Sequence, residues 1–179
     1  MKRYVLLLTV MGVCATQLVA QSTPKGEIFT GYAFTHNSDQ VGGLNFNGFN
    51  IALSANVTRK VGVVFELGGN FGETTYAQIK DKKSLYTFLG GPRYYFRSDS
   101  RVTPFVHIFV GASHQLATVT DPTGTYKSTA TEFALATGGG FDVNVSPRVS
   151  IRIAQLDYRY TRGFLKNNFR YCGGLLFKF

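Results

Sequence analysis

Eight segments of period-two hydrophobic alternation, no apolar run long enough for a membrane-crossing helix, and a chain ending on an aromatic strand predict an all-β fold. The expected architecture is an eight-stranded antiparallel up-and-down transmembrane β-barrel preceded by a cleaved signal peptide. The C-terminal stretch carries most of the weight. Between Asn167 and Phe179, the residues Phe169, Tyr171, Gly173, Leu175, Phe177 and Phe179 take every second position. Asn168, Arg170, Cys172, Gly174, Leu176 and Lys178 fall between them. Such a strand at the end of a soluble protein leaves an edge that invites aggregation. In a membrane barrel the edge pairs with the first strand, and the aromatic face meets lipid.

The other end of the chain agrees with export. Lys2 and Arg3 form a positive n-region, Tyr4 to Ala15 an apolar core, and Leu18-Val19-Ala20 a cleavage site before Gln21. Residues 1–20 are therefore expected to be a signal peptide, and residues 21–179 a single barrel domain. Met11-Gly12-Val13 before Cys14 makes a poor lipobox, so lipidation is not expected. Loss of Lys2 and Arg3 lowers the formal net charge from +9 to +7. Only Cys172 then remains, so no internal disulfide can hold the fold. The basic residues are scattered over turns and loops rather than gathered on a stripe, which excludes nucleic acid as an expected partner. With 20 Gly, 16 Phe and 10 Tyr, the composition suits twisted strands with aromatic girdles.

In chain order, the first strand is expected over Glu27 to Thr35, with Ile28, Thr30, Tyr32 and Phe34 on one face. The second, Gly48 to Val57, sets Phe49, Ile51, Leu53, Ala55 and Val57 against small polar positions. The third, Val61 to Phe71, sends Val63, Phe65, Leu67 and Phe71 outward and Glu66 and Asn70 inward. The fourth, Leu85 to Phe96, alternates Tyr86, Phe88, Tyr94 and Phe96 with Thr87 and Arg93. Pro92 lacks an N–H, so a bulge or locally broken pairing is expected there. The fifth, Phe105 to Ser113, is apolar on both faces. In the sixth, Thr131 to Val145, Phe133, Leu135, Phe141 and Val143 oppose Ala134, Ala136, Gly138, Gly140, Asp142 and Asn144. In the seventh, Val149 to Tyr160, the parity slips after Ala154, which one extra residue in a β-bulge explains. The C-terminal strand is the eighth.

The connections alternate in length. Thr58 to Lys60, Arg97 to Thr103 and Ser146 to Arg148 are short; His36 to Asn47, Gly72 to Ser84, His114 to Ala130 and Thr161 to Asn167 are long. Outer-membrane barrels have this alternation, with short turns and both termini in the periplasm. A strand of ~10 residues at ~3.3 Å rise, tilted by ~40°, covers roughly 25 Å, the height of the apolar band.

The pieces GFNIALSANV, FLGGPRYYF, PFVHIFVGAS, FALATGGGFDVNVSPRVSIRIAQLDYRYT and GLLFKF resemble the small eight-stranded outer-membrane β-barrel family, which includes the membrane domain of OmpA and OmpX-type proteins. The resemblance covers about Glu27 to Phe179 and implies location in the bacterial outer membrane. The last strand also resembles the C-terminal assembly signal of such barrels, filled by Gly174, Phe177 and Phe179, with Cys172 where a polar residue is usual. That resemblance implies the barrel-assembly machinery as a partner. Outer-membrane lipid and lipopolysaccharide are the others. The family's frequent peptidoglycan-binding domain has no counterpart in this sequence.

The polar residues expected inside are Glu66, Arg93, Asp142, Arg152, Arg170 and Lys178, joined by His107. An eight-stranded barrel is narrow, and charges in it must pair. Glu66 with Arg93 and Asp142 with Arg152, on adjacent strands, are the expected pairs, forming a plug; re-pairing as a gate is the alternative.

Catalytic, cofactor and metal sites are not expected. His36-Asn37-Ser38 followed by Asp39 resembles the His-x-Ser pair of outer-membrane lipid A deacylases, but reads as turn chemistry. His107 and His114 lie on opposite faces and cannot share a metal, and Gly138-Gly139-Gly140 sits inside a strand rather than before a helix. The long loops, with Lys80, Lys82 and Lys83, are candidates for an extracellular ligand, or for solvated caps facing lipopolysaccharide. The expected role is structural, surface-interacting or adhesive. A narrow porin, a lipid-modifying enzyme and a soluble secreted sandwich follow as alternatives.

Overall fold

The computed structural model describes residues 24–38, 44–76, 79–96, 101–162 and 165–179. The expected signal peptide and its cleavage site lie outside these residues. Eight antiparallel strands close into one barrel in sequence order: β1 Gly26–Asn37, β2 Leu44–Asn56, β3 Val61–Tyr76, β4 Ile79–Tyr95, β5 Val102–Asp121, β6 Gly124–Asn144, β7 Val149–Thr161 and β8 Asn167–Lys178. The seam forms between β1 and β8, from Glu27 opposite Lys178 to Asn37 opposite Asn168. Beyond it, Gly26 and Phe179 exchange both backbone hydrogen bonds at 3.0 Å, so the terminal aromatic residue is itself part of the closure. No helix among the described residues is long and apolar enough to cross a membrane. The crossing is made by strands.

The faces follow the alternation. Thirty-one large apolar or aromatic side chains among the described residues stand exposed, including Leu53, Phe65, Ile108, Leu156 and Phe169. A soluble monomer rarely exposes even one large contiguous apolar patch, so this wall belongs in lipid. The interior holds small and apolar residues, Phe29, Ala33, Ala52, Val64, Leu89, Phe109, Ala134, Ala136, Cys172 and Leu176, beside a large set of buried polar groups. Strand β5, apolar on both faces in sequence, turns Phe105, His107 and Phe109 inward and Val106, Ile108 and Val110 outward. Edge-to-face aromatic pairs mark both rims of the wall, Tyr94 with Phe96 at 5.0 Å and Phe71 with Tyr86 at 5.7 Å.

Two backbone irregularities fall where the sequence points. The β6–β7 register shifts between Phe141 and Asp142, and the β7–β8 register between Arg152 and Gln155. One extra residue at Ile153-Ala154 is the bulge that returns Gln155, Asp157 and Arg159 to the inner face. The Ile153 carbonyl accepts a hydrogen bond from the Tyr171 hydroxyl at 2.6 Å. That contact matters in lipid, where an unpaired carbonyl has no water to turn to. At Pro92 the β3–β4 ladder is continuous, whereas β4–β5 pairing skips Gly91 and Pro92. It resumes at Arg93 opposite His107 in the same register. Pro92 therefore breaks pairing without a bulge.

The long connections correct the sequence reading. Gly72 to Ser84 and His114 to Ala130, expected as loops, are mostly continuations of strands: β3 pairs with β4 out to Tyr76 and Ile79, and β5 with β6 out to Asp121 and Gly124. Thr and Val dominate the second stretch, and β-branched residues favour a pleated ladder once two chains run side by side. A four-stranded sheet of β3, β4, β5 and β6 thus rises beyond the barrel. From Gln115 to Asp121 it projects roughly 20 Å along the strand.

Candidate functional site

The lumen is filled. Arg93, Arg152, Arg159, Arg170, Phe29, Phe105 and Phe109 are among its fully buried large side chains. Its centre is a charge cluster built on β3, β7 and β8. Arg170 places Nη1 2.6 Å from Glu66 Oε1, while its Nε donates to Asp157 Oδ2 at 2.7 Å and its Nη2 reaches the same oxygen. His107 Nε2 lies 2.9 Å from Asp157 Oδ1, and Gln155 Nε2 donates to Asp157 Oδ2 at 3.0 Å. Asn50 Nδ2 donates to Glu66 Oε2 at 3.1 Å. Every carboxylate in this cluster has both a cation and a neutral donor, which is what buried ions require.

Below it, Arg152 grips Asp142 with two bonds, Nε to Oδ1 at 2.7 Å and Nη2 to Oδ2 at 3.1 Å. Its Nη1 donates to Gln155 Oε1 at 2.8 Å, which joins the two clusters. Nearer the termini, Tyr95 donates its hydroxyl proton to Glu27 at 2.9 Å, and Lys178, half-buried, donates to Asn144 at 2.5 Å. Above the cluster Arg159 has no carboxylate partner among the described residues; it donates to Thr35 at 2.7 Å and, more weakly, to Asn70 and Thr87. At the far end Phe46, Leu85 and Leu165 are buried. Leu165 is held there by its carbonyl, which accepts from Thr161 and from Asn168 Nδ2.

Of the pairs expected from sequence, Asp142 with Arg152 is present and Glu66 with Arg93 is not. Glu66 pairs instead with Arg170, three strand positions away round the closed barrel. Arg93 lies against ring faces, its guanidinium carbon 4.6 Å from the Phe105 centroid and 5.6 Å from that of Phe109. Asp157, Arg159, Gln155 and Glu27 belong to the interior network and were missed. The signal for the first two was available, because the parity slip that puts Leu156, Tyr158 and Tyr160 outside puts Asp157 and Arg159 inside. Gly138 has a packing reason: a Cβ there would sit 2.2 Å from the Leu156 carbonyl oxygen and 2.5 Å from Asp157 Oδ1. The glycine makes room for the neighbouring backbone and for the carboxylate.

The protruding sheet is the second feature. Its outer face, continuous with the apolar wall, carries cross-strand rows. Glu73, Lys82, Thr118 and Lys127 stand side by side, as do Thr75, Lys80, Thr120 and Thr125. Lys80 and Lys82 share Glu73, at 2.7 and 3.5 Å. The Lys80 hydrogen bond is the main cause holding the Glu73 carboxyl below the usual range. Lys83 pairs with Asp81 at 3.0 Å.

A family model for the outer membrane protein β-barrel domain matches residues 5–171. The chain belongs to this family. It is a protein of the bacterial outer membrane, and among curated proteins none matches its sequence. Among solved structures, this outer-membrane barrel is similar to Ail, the attachment invasion locus protein of Yersinia pestis. The TM-score is 0.65 at 18% identity, covering 88% of this chain and 99% of that one. Neisserial surface protein A is similar at TM-score 0.67 and 18% identity, covering 87% and 97%. OprG of Pseudomonas aeruginosa is similar at TM-score 0.58 and 14% identity, covering 89% and 99%.

In an outer-membrane barrel the termini and short turns face the periplasm. That puts Tyr95, Glu27 and Lys178 at the periplasmic end, and Leu165 and the protruding sheet at the cell surface. The His36-x-Ser38 pair sits at the outer end of β1. His36 Nδ1 is 2.7 Å from Asn45 Oδ1, and Asp39 lies outside the described residues. His107 is buried and His114 is on the other face, 2.7 Å from Thr131. Among the described residues no group of three metal-ligating side chains comes together.

The tip of the sheet turns at Pro122-Thr123. Asp121 Oδ1 accepts from the Thr123 hydroxyl at 2.5 Å and from the backbone N–H of Thr123 and Gly124 at 2.8 and 2.9 Å. These donors, the Thr123 hydroxyl foremost, hold the Asp121 carboxyl below the usual range. A lowered native pKa means the turn's stabilisation is full above the ordinary carboxylate range and is lost as pH falls through the native value. Amide exchange at Thr123 and Gly124 is therefore expected to be slow, relative to Asp121→Ala, at pH 6 and to approach that variant's protection in acid. Equal protection in the two chains at pH 6 would refute this.

Proposed function

We propose that this barrel serves as a surface-interaction protein: a plugged, non-enzymatic anchor that presents the β3–β6 sheet to an anionic polysaccharide or glycolipid outside the cell. The observation that carries the reading is the outer face of that sheet. Lys82 and Lys127 flank Thr118 at about 10 Å from one another, two strand spacings apart. Lys80 lies in the next row beside Thr120 and Thr125. Three cations offset among the described residues of this face by Glu73 alone, beside hydroxyl donors on a rigid ladder, suit repeated sulfate or phosphate groups. A structure of Ail in complex with the heparin analogue sucrose octasulfate, 21% identical to this chain, suggests the probe. Outer-membrane lipopolysaccharide, which carries phosphates, is the partner from the barrel's own membrane. Export through the N-terminal leader, and engagement of the assembly machinery by Gly174, Phe177 and Phe179, complete the reading.

The test is binding of the barrel, in lipid nanodiscs, to immobilised heparin across a salt series. Binding should weaken with salt, and K80Q/K82Q/K127Q should reduce affinity about tenfold, from roughly 0.5 kcal/mol for each exposed charge. Undiminished binding by the triple variant, or none by the parent chain, would remove the polyanion as the sheet's partner.

A further inference from the structure

Arg93 is the one lumen arginine whose guanidinium has no hydrogen-bond acceptor among the described residues: Nε, Nη1 and Nη2 are all buried and all unpartnered. It is fully enclosed, at 0% exposure. The rings of Phe105 and Phe109 lie under it, and His107, its cross-strand neighbour, stacks on Phe109 at 4.2 Å with only 9° between planes. Ring faces attract the positive charge, but they leave five N–H donors unspent.

Among the described residues, no lumen carboxylate is left over for it. Both oxygens of Asp142 are taken by Arg152, and Asp157 and Glu66 are both committed to Arg170 and its neighbours. Glu27 receives the Tyr95 hydroxyl and Asn56 Nδ2. A second guanidinium raises the local positive charge, because Arg152 lies 4.4 Å from the same Phe105 ring that Arg93 covers. A buried cation with every donor open, beside another cation and with no unpaired lumen carboxylate among the described residues, calls for an acceptor from outside the chain. The aromatic surroundings limit that acceptor to something small and weakly hydrated.

We propose that Arg93 is an anion-binding residue, holding a monovalent anion of the halide class in the periplasmic half of the lumen. Its register fits access from that side, since β4 ends two residues later at Tyr95, whereas Phe46, Leu85 and Leu165 close the extracellular end. The site is independent of the extracellular sheet, and the two readings stand or fall separately.

The experiment follows thermal unfolding of the refolded full-length mature barrel in a zwitterionic detergent, at constant ionic strength, with chloride or bromide replacing gluconate. An anion that binds only the native state raises the midpoint. At ten times its dissociation constant the rise is expected to be about 3–6 °C for a barrel of this size. Arg93→Met, which keeps the contact with the rings, should abolish the dependence. Crystals of the unmodified barrel soaked in bromide should show anomalous density at the guanidinium, which, together with the parent chain's thermal response, tests the site even where the variant fails to fold. Three results would overturn the proposal: a midpoint indifferent to the anion, an anion dependence that survives in Arg93→Met, or density at Arg93 without anomalous signal, meaning water alone. Bromide at the site with no thermal effect at physiological concentration would mark an adventitious ion only.

Discussion

Arg170→Ala is expected to destabilise the folded barrel by about 3–5 kcal/mol, the usual cost of removing one member from a buried ion network. Arg170 is the only cation in contact with Glu66 among the described residues and the strongest partner of Asp157. Its loss leaves two buried carboxylates near each other, with only Asn50, Gln155 and His107 to donate among the described residues. Glu66→Ala should cost less, because Arg170 keeps Asp157. The decisive comparison is the charge-neutral triple variant, Arg170→Met with Glu66→Gln and Asp157→Asn. If stranded charge is the cause, the triple variant recovers most of the stability lost in Arg170→Ala, because a neutral set of similar volume carries no uncompensated ion. Urea unfolding in detergent micelles, read by the heat-sensitive gel shift, measures all four chains. A triple variant as unstable as Arg170→Ala would mean that shape, not charge, holds this part of the lumen.

The second large effect is electrical silence. In a planar bilayer the refolded chain is expected to insert without discrete conductance steps at low or high salt. The reason is the filling: four buried arginines, the Phe29, Phe105 and Phe109 rings, and the Phe46, Leu85 and Leu165 stopper leave an eight-stranded barrel no continuous path. Steps whose size scales with salt would make the protein a narrow porin instead. Glu66, Arg93, Asp142 and Arg152 would then be pore residues, and the lumen network a gate. Insertion has to be verified separately by protease protection, since a silent bilayer is informative only when it contains the barrel.

Both predictions rest on contacts that a linear reading reaches only in part. Alternation assigns a side chain to a face, because successive residues of a strand point to opposite sides. It placed Glu66, Arg93, Asp142, Arg152, Arg170 and Lys178 inside; the structure buries the first five and leaves Lys178 half-buried at the periplasmic end. It does not name partners. Asp142 and Arg152 sit opposite one another on neighbouring strands, so adjacency was enough. Glu66 and Arg170 meet across the closed cylinder, and no pairing of neighbouring strands would suggest it. Asp157 and Arg159 were overlooked because the bulge moves them inside only after the parity is recounted. Strand ends were the other weakness, since the Thr-rich stretch around the Asp121 turn carries no apolar alternation yet pairs fully as β5 and β6.

By itself, the sequence determined that this chain crosses a membrane on eight strands, which residues meet lipid, where β7 bulges and where Pro92 interrupts a ladder. These are properties of period, propensity and missing donors, and each is local to a few residues. The tertiary structure alone decided who pairs inside the lumen, that Arg93 is left to the aromatic rings, and that β3 to β6 rise as one sheet with its lysines in rows. Closure brings together residues more than 100 positions apart in sequence, as with Glu66 and Arg170. Their separation across the barrel is fixed by the register of every strand at once, which no single segment encodes.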